Sequence, residues 1–398
     1  MAAACAKARG DRSARGSRQY GSRAQCQRSR PAYRGCAAGG GWAQRAGGRL
    51  CLAQSDGGGV MAVHTPTVLT VILNYRTPEM SLRSLDAAYR AMEGIAGEIV
   101  VVDNGSDDGS CEVISAGIEA RGWAEGTRVR FAASGRNGGF GAGNNFGMGL
   151  GLSDGSKPDY VYILNSDAFP EPGAINALLE HLERTPAAGM AGSYIRGEDD
   201  VPHVTAFRFP SMASEFEGAV RTGIVSRLLR RSIVPLPMPE TPTAVDWVAG
   251  ASVLMRQEML DQIGGFDERF FLYFEETDLC RRAEGAGWQV WYLPQSRVVH
   301  VGSVSTGMKG WTRTPGYWFD SRLYYFTKNH GRFYAFMATL ARVMGAAIWR
   351  VRVAISSKDL GEPPHFLRDL ISHGIASVLR RQSDGGPGAG DPLREEGK

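Results

Sequence analysis

Glu275, Glu276 and Asp278 stand directly after the aromatic run Phe270-Phe271-Leu272-Tyr273-Phe274. A carboxylate among aromatic rings can hold its proton to unusually high pH and then act as a general base toward a hydroxyl group. The competing reading is electrostatic: acids in the first turn of a helix complement its dipole and need no other role. Two more carboxylates end apolar runs. Asp103, in Asp103-Asn104-Gly105-Ser106-Asp107-Asp108, is placed to accept hydrogen bonds from a base or ribose, or else the segment is a turn capping the next helix. Asp167, in Asn165-Ser166-Asp167, is suited to a divalent cation, Mg²⁺ or Mn²⁺, that also binds a diphosphate. Substrate phosphates can complete such a shell around one or two protein carboxylates. A plain turn is again the alternative. His300 follows Val298-Val299 and would ligate metal only with Asp167 close by.

Between these acids lies Arg136-Asn137-Gly138-Gly139-Phe140-Gly141-Ala142-Gly143-Asn144-Asn145. Glycines this dense let backbone approach a phosphate or sugar, and Asn137 and Asn144 add side-chain donors. The third glycine of G-x-G-x-x-G falls on Asn144, and no Gly-Lys-Ser/Thr ending follows, so neither a dinucleotide fingerprint nor a P-loop is present. A plain flexible loop is the alternative.

Positioning these groups requires strands that end where the motifs begin. Residues 68–73 (VLTVIL) and 98–103 (EIVVVD) are continuous apolar, β-branched runs, with Leu82, Leu85, Ala88, Tyr89 and Met92 at helical spacing between them. That is a βαβ unit of a buried parallel sheet. Further strands are expected at 129–132, 160–164 and 190–195, and helices at 175–183 and 257–263. The alternation predicts an α/β class: an open, mainly parallel sheet flanked by helices, binding ligands at the strands' carboxyl ends. Residues 197–245 lose the rhythm and read as a long insertion carrying the basic stretch 227–231.

Composition is globular, with 43% hydrophobic and 22% charged residues, which excludes collagen-like, coiled-coil and wholly disordered chains. The net charge of +4 misleads as a guide to partners. Residues 1–60 carry 11 Lys+Arg against 2 Asp+Glu, residues 61–320 carry 22 against 32, and residues 321–381 carry 10 against 3. A nucleic-acid partner is therefore not implied. Residues 1–60 are poor in large aliphatics and are expected to be a disordered basic extension, with Met61 as an alternative start; 382–398 are expected to be a disordered tail. Four of the six cysteines lie in the extension and no zinc-like spacing occurs, which fits a reducing, cytoplasmic compartment. Apolar residues from Phe333 to Val351 and within 366–381 repeat at helical steps beside Arg332, Arg342, Arg350, Arg352, Arg368, Arg380 and Arg381. These helices either pack on the catalytic part or dock peripherally on an anionic membrane surface.

The ordered set VVDNGSDDGS, NGGFGAGNN, LNSDA, WVAGASVLMR, GGFDERFFLYFEETDLCRR and HVGS resembles the family 2 glycosyltransferases, and within them the rhamnosyltransferase-like enzymes of bacterial polysaccharide assembly. The resemblance spans residues 67–305 and implies a GT-A fold, a nucleotide-sugar donor, a divalent cation, inversion at the anomeric carbon, and a glycan or polyprenol-linked glycan as acceptor. It implies a domain over 61–320, followed by the basic helical segment 321–381. By the same resemblance, Asp103 contacts the nucleotide base with Asn74, Tyr75 and Asn104 beside it. Asn137, Gly138, Asn144, Asn165 and Ser166 join the donor side. Asp167 meets the metal and diphosphate, His300 is a further metal ligand, and Trp247 and Gly250 belong to the acceptor side. Glu276 is the base, with Glu275 and Asp278 as its rivals. Asn165 stands where the family's Asp-x-Asp motif has its first acid. Two other readings compete: a sugar-nucleotide pyrophosphorylase, which should show a Gly-rich loop with a Lys where Asn74-Tyr75-Arg76-Thr77 stands, and a catalytically silent assembly subunit at the membrane.

Overall fold

The computed structural model describes residues 64–123, 128–302, 312–356 and 363–380; the expectations for 1–60, Met61 and 382–398 lie outside the described residues. Strand β1 (Thr67–Asn74) is followed by α1 (Pro78–Ala91), β2 (Ala96–Asp103), α2 (Ser110–Ala120), β3 (Val129–Ala133), α3 (Gly139–Gly149), β4 (Tyr160–Asn165), β5 (Ala168–Pro170), α4 (Ala174–Arg184) and β6 (Ala188–Arg196). The segment after it holds β7 (Pro202–His203), β8 (Ala206–Phe207), α5 (Met212–Val220), α6 (Gly223–Leu228) and β9 (Thr243–Val245). Then come β10 (Trp247–Val248), β11 (Ser252–Arg256), α7 (Gln257–Ile263), α8 (Glu275–Gly285), β12 (Gln289–His300), α9 (Gly316–His330), α10 (Arg332–Ser356) and α11 (Phe366–Arg380).

The main sheet runs β3-β2-β1-β4-β11-β6-β12-β5. Its first four strands are parallel, β11 is antiparallel to both neighbours, and β12 is parallel to β6. This is the expected mixed, mainly parallel sheet. The apolar runs are continuous because both faces are covered. Val68, Ile72, Ile99 and Val101 join one core, with Leu85 of α1 and Leu178 of α4; Leu69, Val71, Val100 and Val102 join the other, with Met259 of α7. Such strands cannot alternate apolar and polar residues.

The Gly-rich segment is helical, which corrects the expectation of a phosphate-cradling or flexible loop. A Cβ on Gly143 would lie 2.5 Å from Leu73 Cδ1, and one on Gly147 would lie 2.5 Å from Val71 Cγ1. Gly139, at φ +87°, brings its backbone to Phe271, where a Cβ would fall 2.0 Å from the carbonyl oxygen. These glycines let α3 lie close against β1, β2 and the segment preceding α8. They are spent on packing, not on a ligand.

A third core is mostly aromatic: Phe270 and Phe274 pack with Trp318, Tyr325 and Phe326 of α9 and with Phe366 of α11. The insertion is anchored to α9 and α10, since Glu215 of α5 accepts from Arg322 Nη2 at 2.8 Å and from Arg342 Nη1 at 3.3 Å. Helix α9 crosses residue 320 and had no clear periodic signature, because its buried face is built of Tyr317, Trp318, Ser321, Arg322 and Tyr325 in place of aliphatics.

Candidate active site

Parallel register brings the motifs together. Asn74 pairs with Asp103 across β1 and β2, and Leu73 pairs with Asn165 across β1 and β4. The ends of β2, β1 and β4 thus present Asp103, Asn74 and Asn165-Ser166-Asp167 side by side. Asn74 is fully buried and acts as a hub: its Nδ2 donates to Asp103 Oδ1 at 2.7 Å, and its Oδ1 accepts from Ser81 Oγ at 2.7 Å and from Thr77 N at 3.2 Å. Asp103 Oδ2 accepts from Ser106 N at 2.9 Å, so a network fixes the carboxylate before any ligand arrives. Thr77 Oγ1 lies 3.1 Å from Ser166 Oγ and joins this network to the β4 motif. Thr77 and Ser81 were missed by sequence reasoning; their signal is a hydroxyl at the start of α1 and another in its first turn, directly after the strand that ends at Asn74. Tyr75 is half-buried, with the Arg76 guanidinium 5.1 Å from its ring centroid.

Strand β12 delivers His300 to the same edge. It pairs antiparallel to β5 with His300 opposite Ala168, and Val301 N donates to Asp167 O at 3.1 Å. His300 Nε2 lies 3.0 Å from Asp167 Oδ1 and 3.4 Å from Asn165 Nδ2. The condition set for His300 is therefore met. Among the described residues no group of three or more His, Cys, Asp or Glu side chains gathers around a cation position. One carboxylate and one imidazole fit a divalent ion whose remaining ligands come from a bound diphosphate.

The three acids of α8 have distinct surroundings. Asp278 is fully buried and saturated: it accepts from Arg282 Nε at 2.9 Å, Lys328 Nζ at 2.8 Å and Asn329 Nδ2 at 3.3 Å, which ties α8 to α9. Glu275 is enclosed, and Oε2 of Glu275 and Oε2 of Glu276 have no hydrogen-bond partner among the described residues. Burial raises the Glu275 pKa well above the carboxylate range, with the Glu276 charge adding to the effect. Burial also pushes Glu276 up to about 7, opposed by backbone N–H groups at the helix start. As a whole residue Glu276 is half-buried, so one side of it faces a solvent-accessible space. Its Cβ lies 3.7 Å from where a Gly250 Cβ would stand, and the Phe140 ring is 3.4 Å from that same point. The helix begins from Tyr273 and Phe274, both at φ 71°, a left-handed pair that non-glycine residues rarely adopt and that is held by the aromatic core.

Three of the expected site residues are engaged within the protein. Trp247 is buried, its Nε1 donates to Arg208 O at 2.9 Å and its ring stacks on Phe207 at 4.0 Å. Asn144 is fully buried and donates back to Phe140 O at 3.0 Å, so it does not reach a ligand. Asn137 is a turn residue, its Oδ1 accepting from Gly139 N at 3.0 Å and Asn104 Nδ2 at 3.1 Å, and a Cβ on Gly138 would fall 2.7 Å from Ala142 Cβ.

The profile described as glycosyltransferase like family 2 matches residues 66–320, well over half of the chain. The chain belongs to that family. This glycosyltransferase is 32% identical over 221 residues to the N-acetylglucosaminyl-diphospho-decaprenol L-rhamnosyltransferase of Mycobacterium tuberculosis, covering 52% of the chain and 68% of the relative. It is 28% identical over 165 residues to rhamnosyltransferase WbbL of Escherichia coli, covering 41% and 60%. A solved mannosyltransferase from Pyrobaculum calidifontis, in complex with GDP-Man and Mn²⁺, superposes with a TM-score of 0.47 at 15% identity over 79% of this chain and 81% of that one. Membership removes the pyrophosphorylase reading.

Proposed function

We propose that this glycosyltransferase moves a sugar, with L-rhamnose the favoured candidate, from a nucleoside diphosphate to a hydroxyl of a polyprenol-linked glycan, inverting the anomeric configuration. The observation that carries the mechanism is Glu276, a half-buried carboxyl with one unpartnered, enclosed oxygen and a pKa raised to about 7, packed beside Gly250 and Phe140. Ionised, it takes the acceptor hydroxyl's proton as the oxygen attacks the anomeric carbon and the bond to the diphosphate breaks. Asp278 is spent on Arg282, Lys328 and Asn329, and burial raises the Glu275 pKa, which favours Glu276 among the three as the base.

Asp103, fixed by Asn74 and Ser106, offers its remaining lone pairs to the base or ribose, with Tyr75 beside it. Asp167 and His300 are the residues that would hold Mg²⁺ or Mn²⁺ together with the donor diphosphate; Asn165 contributes an amide where a carboxylate would otherwise stand. When bound, the ion neutralises charge on the departing diphosphate. A peripheral position on the cytoplasmic face of the membrane belongs to the same reading. The silent-subunit alternative predicts no donor turnover. Thermal-shift measurement with a panel of nucleotide sugars and Mn²⁺ tests the proposal. A nucleoside-diphosphate rhamnose is expected to raise Tm and be turned over; a panel in which no nucleotide sugar binds would refute the proposal.

A further inference from the structure

Helix α10 is inside out. Its buried residues are small, namely Ala335, Ala338, Gly345 and Ala346, and a Cβ on Gly345 would fall 2.7 Å from Phe216 O of α5. Seven of its large apolar residues point away from the protein: Phe333 is 79% exposed, Phe336 61%, Met344 51% and Val351 62%, with Leu340 and Ile348 between them and Ile355 at the end. Steps of three and four residues put these side chains on one stripe along a helix of 25 residues, roughly 37 Å long. No charged residue falls within the stripe. Arg332 and Arg350 project along one flank and Arg352 along the other, by the 100° advance per residue.

Neighbouring elements extend the surface. On α11, Phe366 and Leu370 enter the aromatic core while Ile371, Ile375 and Leu379 stay exposed beside Arg368. Arg352 donates to Thr222 at the start of α6, which brings Ile224 and Leu228 of α6, both more than two-thirds exposed, and the exposed Arg227, Arg230 and Arg231 to the same end. A water-soluble monomer seldom leaves so large an apolar area uncovered. A helix that only needed to pack on the core would turn its large residues inward.

We propose that this face, formed by α10 with α11 and α6, docks on the surface of an anionic lipid bilayer, the apolar stripe entering the acyl boundary and the arginines meeting the headgroups. Charge selects this occupant. Exposed arginines border the face, Arg332, Arg352 and Arg368 together with Arg227, Arg230 and Arg231, whereas residues 61–320 are net acidic. A second copy related by a two-fold axis would set the basic rim against itself. Among the described residues no helix is long and apolar enough to cross a membrane, so α10 lies in the interface and does not span it. The value of such docking to a polyprenol-linked acceptor rests on the function proposed above; the binding to lipid does not.

Sedimentation of the full chain with vesicles separates the two. Vesicles of phosphatidylcholine with phosphatidylglycerol are expected to pellet the protein at least tenfold better than phosphatidylcholine alone, and added salt is expected to weaken the association. The triple variant F336E/M344E/V351E is expected to lose that binding tenfold or more while keeping its Tm and its donor turnover. If the triple variant does not fold, the surface pair R332E/R350E gives the same readout. Wild-type protein that stays in the supernatant with both vesicle types overturns the proposal, as does a folded variant that sediments like wild type. A wild-type dimer in size-exclusion chromatography that becomes monomeric in the triple variant, without vesicle binding, assigns the face to a second copy and also overturns it.

Discussion

Glu275 and Glu276 adjoin in the chain but differ in what surrounds them, and the roles proposed for them follow that difference. A base must be ionised to work, and Glu276 has its pKa raised to about 7, so the rate should fall roughly tenfold per pH unit below that value and level off above it. A pH profile of kcat/KM in the wild type measures this directly. Glu275 makes a different prediction. A carboxyl whose folded pKa lies above its unfolded value of 4.5 favours the fold at low pH and weighs against it as pH rises through that window. Glu275→Gln should therefore raise stability near neutral pH, with the gain fading as the pH falls toward the unfolded value. Urea denaturation at neutral and at acidic pH checks it. At the metal position proposed for Asp167, Asp167→Ala should abolish stimulation of turnover by Mn²⁺ while the apo protein keeps its Tm; Mn²⁺ titration of activity and a thermal melt supply the two readouts.

At the scale of elements, α3 and the segment before α8 hold the base in place through a backbone contact that only glycine permits. Phe140 N donates to Phe271 O at 3.0 Å, and Gly139 supplies the positive φ and the missing Cβ. Gly139→Ala should cost about 2–3 kcal/mol and lower kcat with donor affinity unchanged. Gly149→Ala in the same helix meets nothing within 4 Å and should be neutral or mildly stabilising. Chemical denaturation and steady-state kinetics on both variants separate strain from helix propensity. The strands were legible from sequence because both faces are covered, which leaves runs such as VLTVIL with no polar residue at all except Thr70 and its equivalents. Helix α3 was not legible: glycine is a poor helix former, and only the tight approach to Leu73, Val71 and Phe271 explains why it is helical. The acids were legible as motifs, but not their division of labour, since the partners that saturate Asp278 come from Lys328 and Asn329 on α9, some fifty residues further along the chain.

On the scale of the whole molecule, the C-terminal helices are part of the catalytic unit as well as a surface of their own. Glu215, Arg322 and Arg342 bind the insertion to α9 and α10, and Arg322 is 1% exposed. Removing it strands a buried carboxylate, so Arg322→Ala should destabilise the chain by about 3–5 kcal/mol, read from the denaturation midpoint. The sequence charge pattern separated an acidic catalytic part from a basic segment, yet it did not reveal that this segment packs through aromatics on one side and leaves aliphatics open on the other. The central claim is direct displacement with Glu276 as base. It is tested by transfer from nucleoside-diphosphate rhamnose to a polyprenol-linked acceptor with Mn²⁺, wild type against Glu276→Gln, with the anomeric configuration of the product read by NMR. The account predicts an inverted product, and a variant slowed by about 10²–10⁴ that still binds donor. Turnover near the wild-type rate in that variant, or a product with retained configuration, would contradict it.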